Sequence, residues 1–313
     1  MPSLASRLSG RGRLGLSFEE GFTSMMTYYK ARALADALEM LERPDVEGRA
    51  LLGGTDLLVS LAGKHDDTPR VVVDLKGIKD WGEPLVITDT GVRIGLMLTM
   101  AELADDPVVG SWYAALTEAA DKVGAVAIRN RATVVGNICN ASPASDSAPP
   151  LLVHEATVRI ASASGQRSVP ISSFFLSPRV TACARGEIVT AIELPRPVPG
   201  TGSAYRRLTR RWGIDLITVS VAAAVHGDGR VLLGLGAVAP TPLLVELPVG
   251  LDLDDRSALV QVLDEALSVA TPITDIRGGA EYRSAMLREL ASRAIQAALD
   301  STRRSGNGHS VRG

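Results

Sequence analysis

The spacing of apolar residues changes at two adjacent glycines in the first third of the chain. A short strand-like run ends at Leu52, and from Leu57 onward apolar residues recur at helical spacing. Gly53 and Gly54 therefore lie in a turn before a helix that begins near Thr55. Without a Cβ, glycines let backbone N–H groups face one concavity, where a helix N-terminus adds positive potential. The pattern predicts either a phosphate-binding turn or a plain turn with a capping side chain.

Further along, the hydrophobic pattern predicts an α+β protein built of consecutive units. A helix over residues 31–42 precedes the glycine turn and a buried strand over residues 70–78 follows it, which is the β-α-β order of a short parallel sheet. Shorter alternating strands indicate that a second unit begins at residue 79. Its predicted elements are a turn at 89–91, a helix around 112–124, a strand over 132–138 and a hairpin that turns at Gly165.

Residues 195–203 form the densest cluster of proline and glycine, which predicts a domain boundary. Beyond this cluster, the pattern predicts a hairpin that turns at Asp228-Gly229 and two helices, over residues 257–270 and 281–299. Residues 1–24 are predicted to be an extension outside the fold. Residues 301–313, rich in Gly, Ser and Arg, are predicted to be a disordered tail.

Composition narrows the class of protein. The 313 residues are 46% hydrophobic, and the 33 basic side chains nearly balance the 35 acidic ones, so we expect a globular chain without a nucleic-acid partner. Two isolated cysteines, Cys139 and Cys183, fit a reducing, cytoplasmic location and are too few for an iron–sulfur cluster. The four histidines share no metal-ligand spacing, which predicts surface or hairpin positions and no metal in this chain. No apolar run is long enough for a membrane span.

Two other motifs are candidates for chemistry. The segment GLGAVA, residues 234–239, matches a dinucleotide fingerprint, but Pro240 and Pro242 prevent the helix that this fingerprint needs, so we expect an ordinary antiparallel strand. The segment YRRLTRR, residues 205–211, is either a solvated strand edge or a clamp for an anionic group.

A second segment in which backbone N–H groups could approach a ligand closely is RNRATVVGNICNASPASDSAPP, residues 129–150. Gly136 and Asn137 predict a small-residue turn, and Asp146 could accept hydrogen bonds from a sugar hydroxyl or cap the following helix. Two glycine turns in adjacent units can hold one long dinucleotide between them.

These segments resemble a known family. LLGGTDLL and RNRATVVGNICNASPASD are similar to the two flavin-binding motifs of the FAD-binding medium subunits of molybdenum hydroxylases, the xanthine dehydrogenase and aerobic carbon monoxide dehydrogenase family. Four later segments follow in the family's order: IVTAIELP, AYRRLTRR, LGAVAPTP and DIRGGAEYRSAM. The resemblance extends from about Met26 to Leu299.

The resemblance implies an FAD-binding fold of the vanillyl-alcohol-oxidase (PCMH) type over residues 25–198, in subdomains 25–78 and 79–198. A C-terminal domain of a small antiparallel sheet and helices is expected over residues 203–300. The implied FAD-binding residues lie in both motifs and in later segments, and either Arg206 or Arg207 replaces a flavin-contacting lysine of relatives. They are Leu52, Gly53, Gly54, Thr55, Asp56, Leu57, Thr133, Val134, Val135, Gly136, Asn137, Asp146, Val189, Arg206 and Arg207.

The resemblance further implies an oxidoreductase subunit without a catalytic acid or base of its own. It would pass electrons from two-iron two-sulfur clusters in a small partner subunit, through FAD, to NAD, a quinone or oxygen. A large partner subunit would carry the molybdopterin cofactor, in a dimer of heterotrimers. Val135 departs from the family pattern, in which this position is glycine, and it leaves open an assembly subunit with a degenerate FAD site. A free-standing flavin oxidase of the same fold is the other alternative.

Overall fold

The computed structural model describes residues 26–62, 68–211, 213–253 and 255–307. The predicted extension over residues 1–24 lies outside the described residues, as do His65, His309 and the end of the predicted tail. The strands are β1 (Met26–Lys30), β2 (Glu47–Leu51), β3 (Arg70–Asp74), β4 (Leu85–Thr88), β5 (Gly91–Gly95), β6 (Thr157–Ser162), β7 (Gly165–Pro170), β8 (Phe175–Ser177), β9 (Val180–Thr181), β10 (Ile188–Pro195), β11 (Gly202–Leu208), β12 (Val219–Val225), β13 (Val231–Gly236) and β14 (Leu243–Leu247). The helices are α1 (Leu34–Glu42), α2 (Leu57–Ala62), α3 (Met100–Asp105), α4 (Pro107–Trp112), α5 (Ala114–Lys122), α6 (Val126–Arg129), α7 (Val134–Cys139), α8 (Ala148–Val153), α9 (Arg256–Ala266) and α10 (Ala280–Asn307).

The first sheet is parallel and has the strand order β1-β3-β2. Every residue of β3 is buried, because this central strand is covered on both faces. The predicted β-α-β order is confirmed. Strand β1 was not predicted, since four of its five residues are exposed and its pattern is not that of a half-buried strand.

The second unit is a five-stranded antiparallel sheet of order β4-β5-β10-β6-β7, with helices α3 to α8 between β5 and β6. The hairpin β6–β7 forms as expected, but its turn lies at residues 163–164, and Gly165 is already the first residue of β7. The predicted helix around residues 112–124 is confirmed by α4 and α5.

The strand predicted over residues 132–138 is wrong, because this segment forms helix α7. Thr133 caps the helix, and its side chain accepts a hydrogen bond from the backbone N–H of Gly136 at 3.0 Å. Val134 and Ile138 lie one turn apart and are both fully buried. The cap and this buried helical face outweigh the preference of β-branched residues for strands. Gly136 therefore lies within a helix and not in a turn.

The C-terminal unit is an antiparallel sheet of order β11-β12-β13-β14 against which α10 packs. The hairpin that turns at Asp228-Gly229 and both predicted helices are confirmed, and GLGAVA begins in an antiparallel strand, as expected. Helix α10 continues to Asn307, so the predicted disordered tail is wrong for residues 301–307. A small buried cluster that includes Ala115, Val153 and Tyr205 joins this unit to the preceding one. The domain limits given above stay predictions.

Among the described residues, no helix combines the length and the apolar character that a membrane crossing requires.

Candidate functional site

A cleft of about 860 Å³ lies where the first unit meets the second. This volume is near the upper end of ordinary ligand sites and suits a long cofactor. The cleft is lined by parts of residues 47–57, 132–140 and 179–189. Eleven of the residues implied by the resemblance line it, namely Leu52, Gly53, Gly54, Thr55, Asp56, Leu57, Thr133, Val135, Gly136, Asn137 and Val189.

The glycine turn, residues 52–57, requires both of its glycines. Gly54 has φ +81°, a left-handed conformation that side chains rarely adopt. A Cβ on Gly53 would lie 2.0 Å from the carbonyl oxygen of Arg131. The turn therefore packs backbone against backbone on the segment that leads into α7, and this contact brings the two sequence motifs together.

Four consecutive backbone N–H groups of the glycine turn have no acceptor among the described residues. Within the part of the chain that the structure describes, the N–H groups of Gly53, Gly54, Thr55 and Asp56 donate no hydrogen bond. Helix α2 begins at Leu57, two positions later than expected. The N–H of Leu58 donates a helix-type hydrogen bond to the carbonyl oxygen of Gly54, four residues earlier, at 3.0 Å. Such a run of free donors in a concave turn is suited to phosphate oxygens.

The second motif, residues 133–137, contributes the first turn of α7. The side chain of Asn137 is fixed because Ser145 and Ser147 each donate a hydrogen bond to its Oδ1, both at 2.7 Å. These serines belong to the SPASDS loop, residues 142–147, which therefore holds an amide group at the edge of the cleft. Val134 is completely buried in the core and does not line the cleft.

Val135 lies at the position where the resemblance implies a glycine. Only 1% of its surface is exposed, and it belongs to the main hydrophobic core. The added side chain is thus accommodated by core packing.

The charge along residues 179–189 favours an anion. Arg179 donates to Asn140 Oδ1, and Arg185 donates to the carbonyl oxygen of Val46 at 2.9 Å. Neither arginine forms an ion pair with a carboxylate among the described residues. The nearby Glu187 is paired with Arg167 at 2.7 Å, and this hydrogen bond lowers the pKa of Glu187. The sequence offered no signal for Arg179 or Arg185, which reach the cleft only through the fold.

Asp146, Arg206 and Arg207 do not line the cleft. Asp146 accepts hydrogen bonds from Tyr205 Oη at 2.8 Å and from Arg207 Nη1 at 2.9 Å. Burial raises the pKa of Asp146, and the charge of Arg207 opposes that shift. Arg206 extends from the opposite face of β11 and contacts Glu118 at 3.2 Å, since neighbouring strand residues point to opposite sides.

Both cysteines line the cleft, although they lie 44 positions apart in the chain and share no motif. The expected surface position is wrong for His154, which is 3% exposed and lies 3.1 Å from Ser203 Oγ. Burial lowers the pKa of His154 to about 3, so its imidazole is neutral. His226 is in the predicted hairpin but is also buried.

Comparison with known proteins places these features in a family. Residues 22–197 match the FAD binding domain in molybdopterin dehydrogenase, and residues 203–298 match the CO dehydrogenase flavoprotein C-terminal domain. A putative xanthine dehydrogenase FAD-binding subunit of Escherichia coli K12 is 30% identical over 286 residues, covering 87% of this chain and 96% of the relative. The carbon monoxide dehydrogenase medium chain of Hydrogenophaga pseudoflava is 28% identical, with 87% and 96% covered.

Comparison with solved structures finds proteins of the same kind. A solved structure of carbon monoxide dehydrogenase from Hydrogenophaga pseudoflava, lacking the Mo-pyranopterin moiety of the molybdenum cofactor, superposes with a TM-score of 0.81. This match covers 88% of the present chain and 98% of the other, at 28% identity. The expected α+β class is confirmed.

Proposed function

This chain belongs to the family of FAD-binding subunits of molybdopterin dehydrogenases, and from that premise we propose that it is the electron-transfer subunit of a cytoplasmic molybdenum hydroxylase. It would receive electrons from iron–sulfur clusters of a small partner subunit and deliver them to NAD, a quinone or oxygen. When bound, FAD supplies the ability to take electrons singly and to release them in pairs. The chain's own residues bind and orient this cofactor.

The observation that carries the proposal is the pairing of the two motifs across one cleft. The free N–H groups of the glycine turn would bind the diphosphate from one side. Residues 133–137 would line its other side, where the N–H groups of Val134, Gly136 and Asn137 already donate within the protein. Arg179 and Arg185 supply positive charge, and neither is within salt-bridge distance of a carboxylate among the described residues. Arg207, and not Arg206, bonds to the SPASDS loop through Asp146, and neither arginine lines the cleft, so the expected flavin contact of Arg206 or Arg207 stays a prediction.

Partner subunits account for the chemistry that this chain lacks. Its two cysteines cannot provide the four thiolates that an iron–sulfur cluster takes. The relative from Hydrogenophaga pseudoflava is named a medium chain, which makes it one chain of a larger enzyme. A heterotrimer with a large and a small subunit, paired into a dimer, is therefore the assembly that we propose.

The test is an absorption spectrum of the protein purified under mild conditions from its native host, with a gel of the chains that accompany it. We expect flavin bands, a broad iron–sulfur shoulder and two additional chains. A yellow protein without partner chains would favour a free-standing flavin oxidase. A colourless chain that stays empty after incubation with FAD would favour an assembly subunit.

The position of FAD is tested at Gly54 with a matched pair of variants. Asparagine and aspartate have the same size and both tolerate positive φ, so Gly54→Asn is the control for Gly54→Asp. A carboxylate about 4 Å from one phosphate charge costs about 4 kcal/mol at an effective dielectric constant of about 20. Gly54→Asp should therefore lose FAD while Gly54→Asn retains much of it. Stoichiometric flavin in Gly54→Asp would refute the assignment of the glycine turn.

A further inference from the structure

Lys76 contacts the glycine turn from outside the cleft. It lies in a short 3₁₀ turn, Leu75–Gly77, directly after β3. Its Nζ donates to the carbonyl oxygen of Leu52 at 3.1 Å and lies 2.6 Å from Asp74 Oδ1. Lys76 is not among the residues that line the cleft, so any effect on a ligand there acts through Leu52.

The contact between Lys76 and the carbonyl oxygen of Leu52 also determines where the N–H of Gly53 points. The peptide between Leu52 and Gly53 is trans, as are all peptide bonds in the described residues. In a planar trans peptide the C=O and the N–H point in opposite directions. Because the oxygen of Leu52 faces Lys76, the N–H of Gly53 faces away from Lys76. Gly53 lines the cleft, and its N–H has no acceptor among the described residues.

Asp74 holds Lys76 in place. This carboxylate is 4% exposed and also accepts hydrogen bonds from Lys76 N–H at 2.9 Å and from Tyr28 Oη at 2.6 Å. Burial alone would raise the pKa of Asp74, but the hydrogen bonds from Lys76 and Tyr28 outweigh it and lower the pKa. The same bond raises the pKa of Tyr28 to about 12. Asp74 therefore stays charged at neutral pH and keeps a salt bridge to Lys76.

We propose that Lys76, held by Asp74 and Tyr28, is a positioning residue that directs the N–H of Gly53 at the cofactor's diphosphate. This inference rests on the proposed FAD site. Asp74 lies at the end of β3 and Tyr28 lies in β1. Through Lys76, these two side chains fix the orientation of the peptide between Leu52 and Gly53, in the turn after β2. An oriented N–H donor is gained without a side chain entering the cleft.

The experiment measures the affinities of the flavin-free full chain for FAD, ADP and riboflavin. For Lys76→Met we expect the dissociation constants of FAD and ADP to rise by the same factor, on the order of tenfold, since the variant removes the hydrogen bond that orients a donor to a charged group. The affinity for riboflavin, which has no phosphate, should stay unchanged. Lys76→Arg should restore much of the loss, because a guanidinium can donate to both oxygens.

Lys79→Met is the matched control, because it removes the same charge three residues away and Lys79 forms no hydrogen bond or ion pair within the described residues. Equal losses in Lys79→Met would show that only the general field matters and would overturn the proposal. Measurements at about 1 M salt, where the screening length is about 3 Å, separate the two effects further. A loss caused by peptide orientation should persist under these conditions.

Tyr28→Phe is a milder variant that removes one hydrogen bond from Asp74 and keeps the ring. It should weaken FAD and ADP binding by a smaller factor without altering riboflavin binding. Unchanged FAD affinity in both Lys76→Met and Tyr28→Phe would overturn the proposal, as would an equal loss for all three ligands. If Gly54→Asp loses FAD and Lys76→Met does not, the positioning role alone fails. If Gly54→Asp and Lys76→Met both keep FAD, the proposed FAD site itself fails.

Discussion

Gly53→Ala tests whether the backbone contact between the two motifs is required. The new Cβ would lie 2.0 Å from the oxygen and 2.8 Å from the carbon of the Arg131 carbonyl group. Both partners are backbone, so no flexible side chain can rotate away. We expect the glycine turn and the segment before α7 to be forced apart.

The size of the effect follows from these distances. An ordinary contact begins near 3.4 Å, so the two backbones must separate by about 1.4 Å. Introducing extra atoms into a packed site costs about 1–3 kcal/mol, and a clash between backbones belongs at the upper end. A loss of this size lowers the midpoint of thermal unfolding by about 2–4 °C for each kcal/mol. The diphosphate site is displaced with the turn, so FAD affinity should fall at least about tenfold.

The assay combines thermal unfolding of the flavin-free chain with FAD titration. Gly110→Ala is the control, because a Cβ there would meet only Thr117 at an ordinary distance of 3.9 Å and the residue lies in helix α4. Alanine should be neutral or stabilising by about 0.5–1 kcal/mol at that helical position. An unfolding midpoint and an FAD affinity in Gly53→Ala equal to those of the unaltered chain would refute the argument.

Two further predictions concern the join between the second and C-terminal units. Arg207→Ala leaves the buried carboxylate of Asp146 without its ion-pair partner, so the free energy of unfolding in urea should fall by about 3–5 kcal/mol. Arg206→Ala breaks a half-exposed ion pair with Glu118 and should lower it by about 0–1 kcal/mol. Equal losses in the two variants would contradict this contrast. His154 has a pKa of about 3 when folded, below its usual 6.5, so its contribution to stability is complete above pH 6.5 and is lost as the pH falls toward 3. Between pH 6.5 and pH 3 the free energy of unfolding of the unaltered chain should decrease as the pH decreases. His154→Phe should reduce this slope by about 1.4 kcal/mol per pH unit. An unchanged slope would show that His154 is not the group that titrates.

Local patterns were sufficient wherever neighbours in the chain decide the structure. The parallel β-α-β order, the hairpin at Asp228-Gly229 and the exclusion of a dinucleotide fingerprint at GLGAVA all follow from spacing and from glycine and proline chemistry. The same reasoning failed at residues 132–138, where Val134 and Val135 suggested a strand. There the Thr133 cap and burial against the core outweigh the local preference.

By itself, the sequence determined the identity of the family and the position of the glycine turn, because both depend on residue types at fixed short spacings. Only the tertiary structure decided that Gly53 packs on Arg131, that Arg179 and Arg185 reach the same cleft, and that Arg207 rather than Arg206 pairs with Asp146. Each of these contacts joins segments far apart in the chain. Their geometry depends on strand register and on packing between units, which no local pattern encodes.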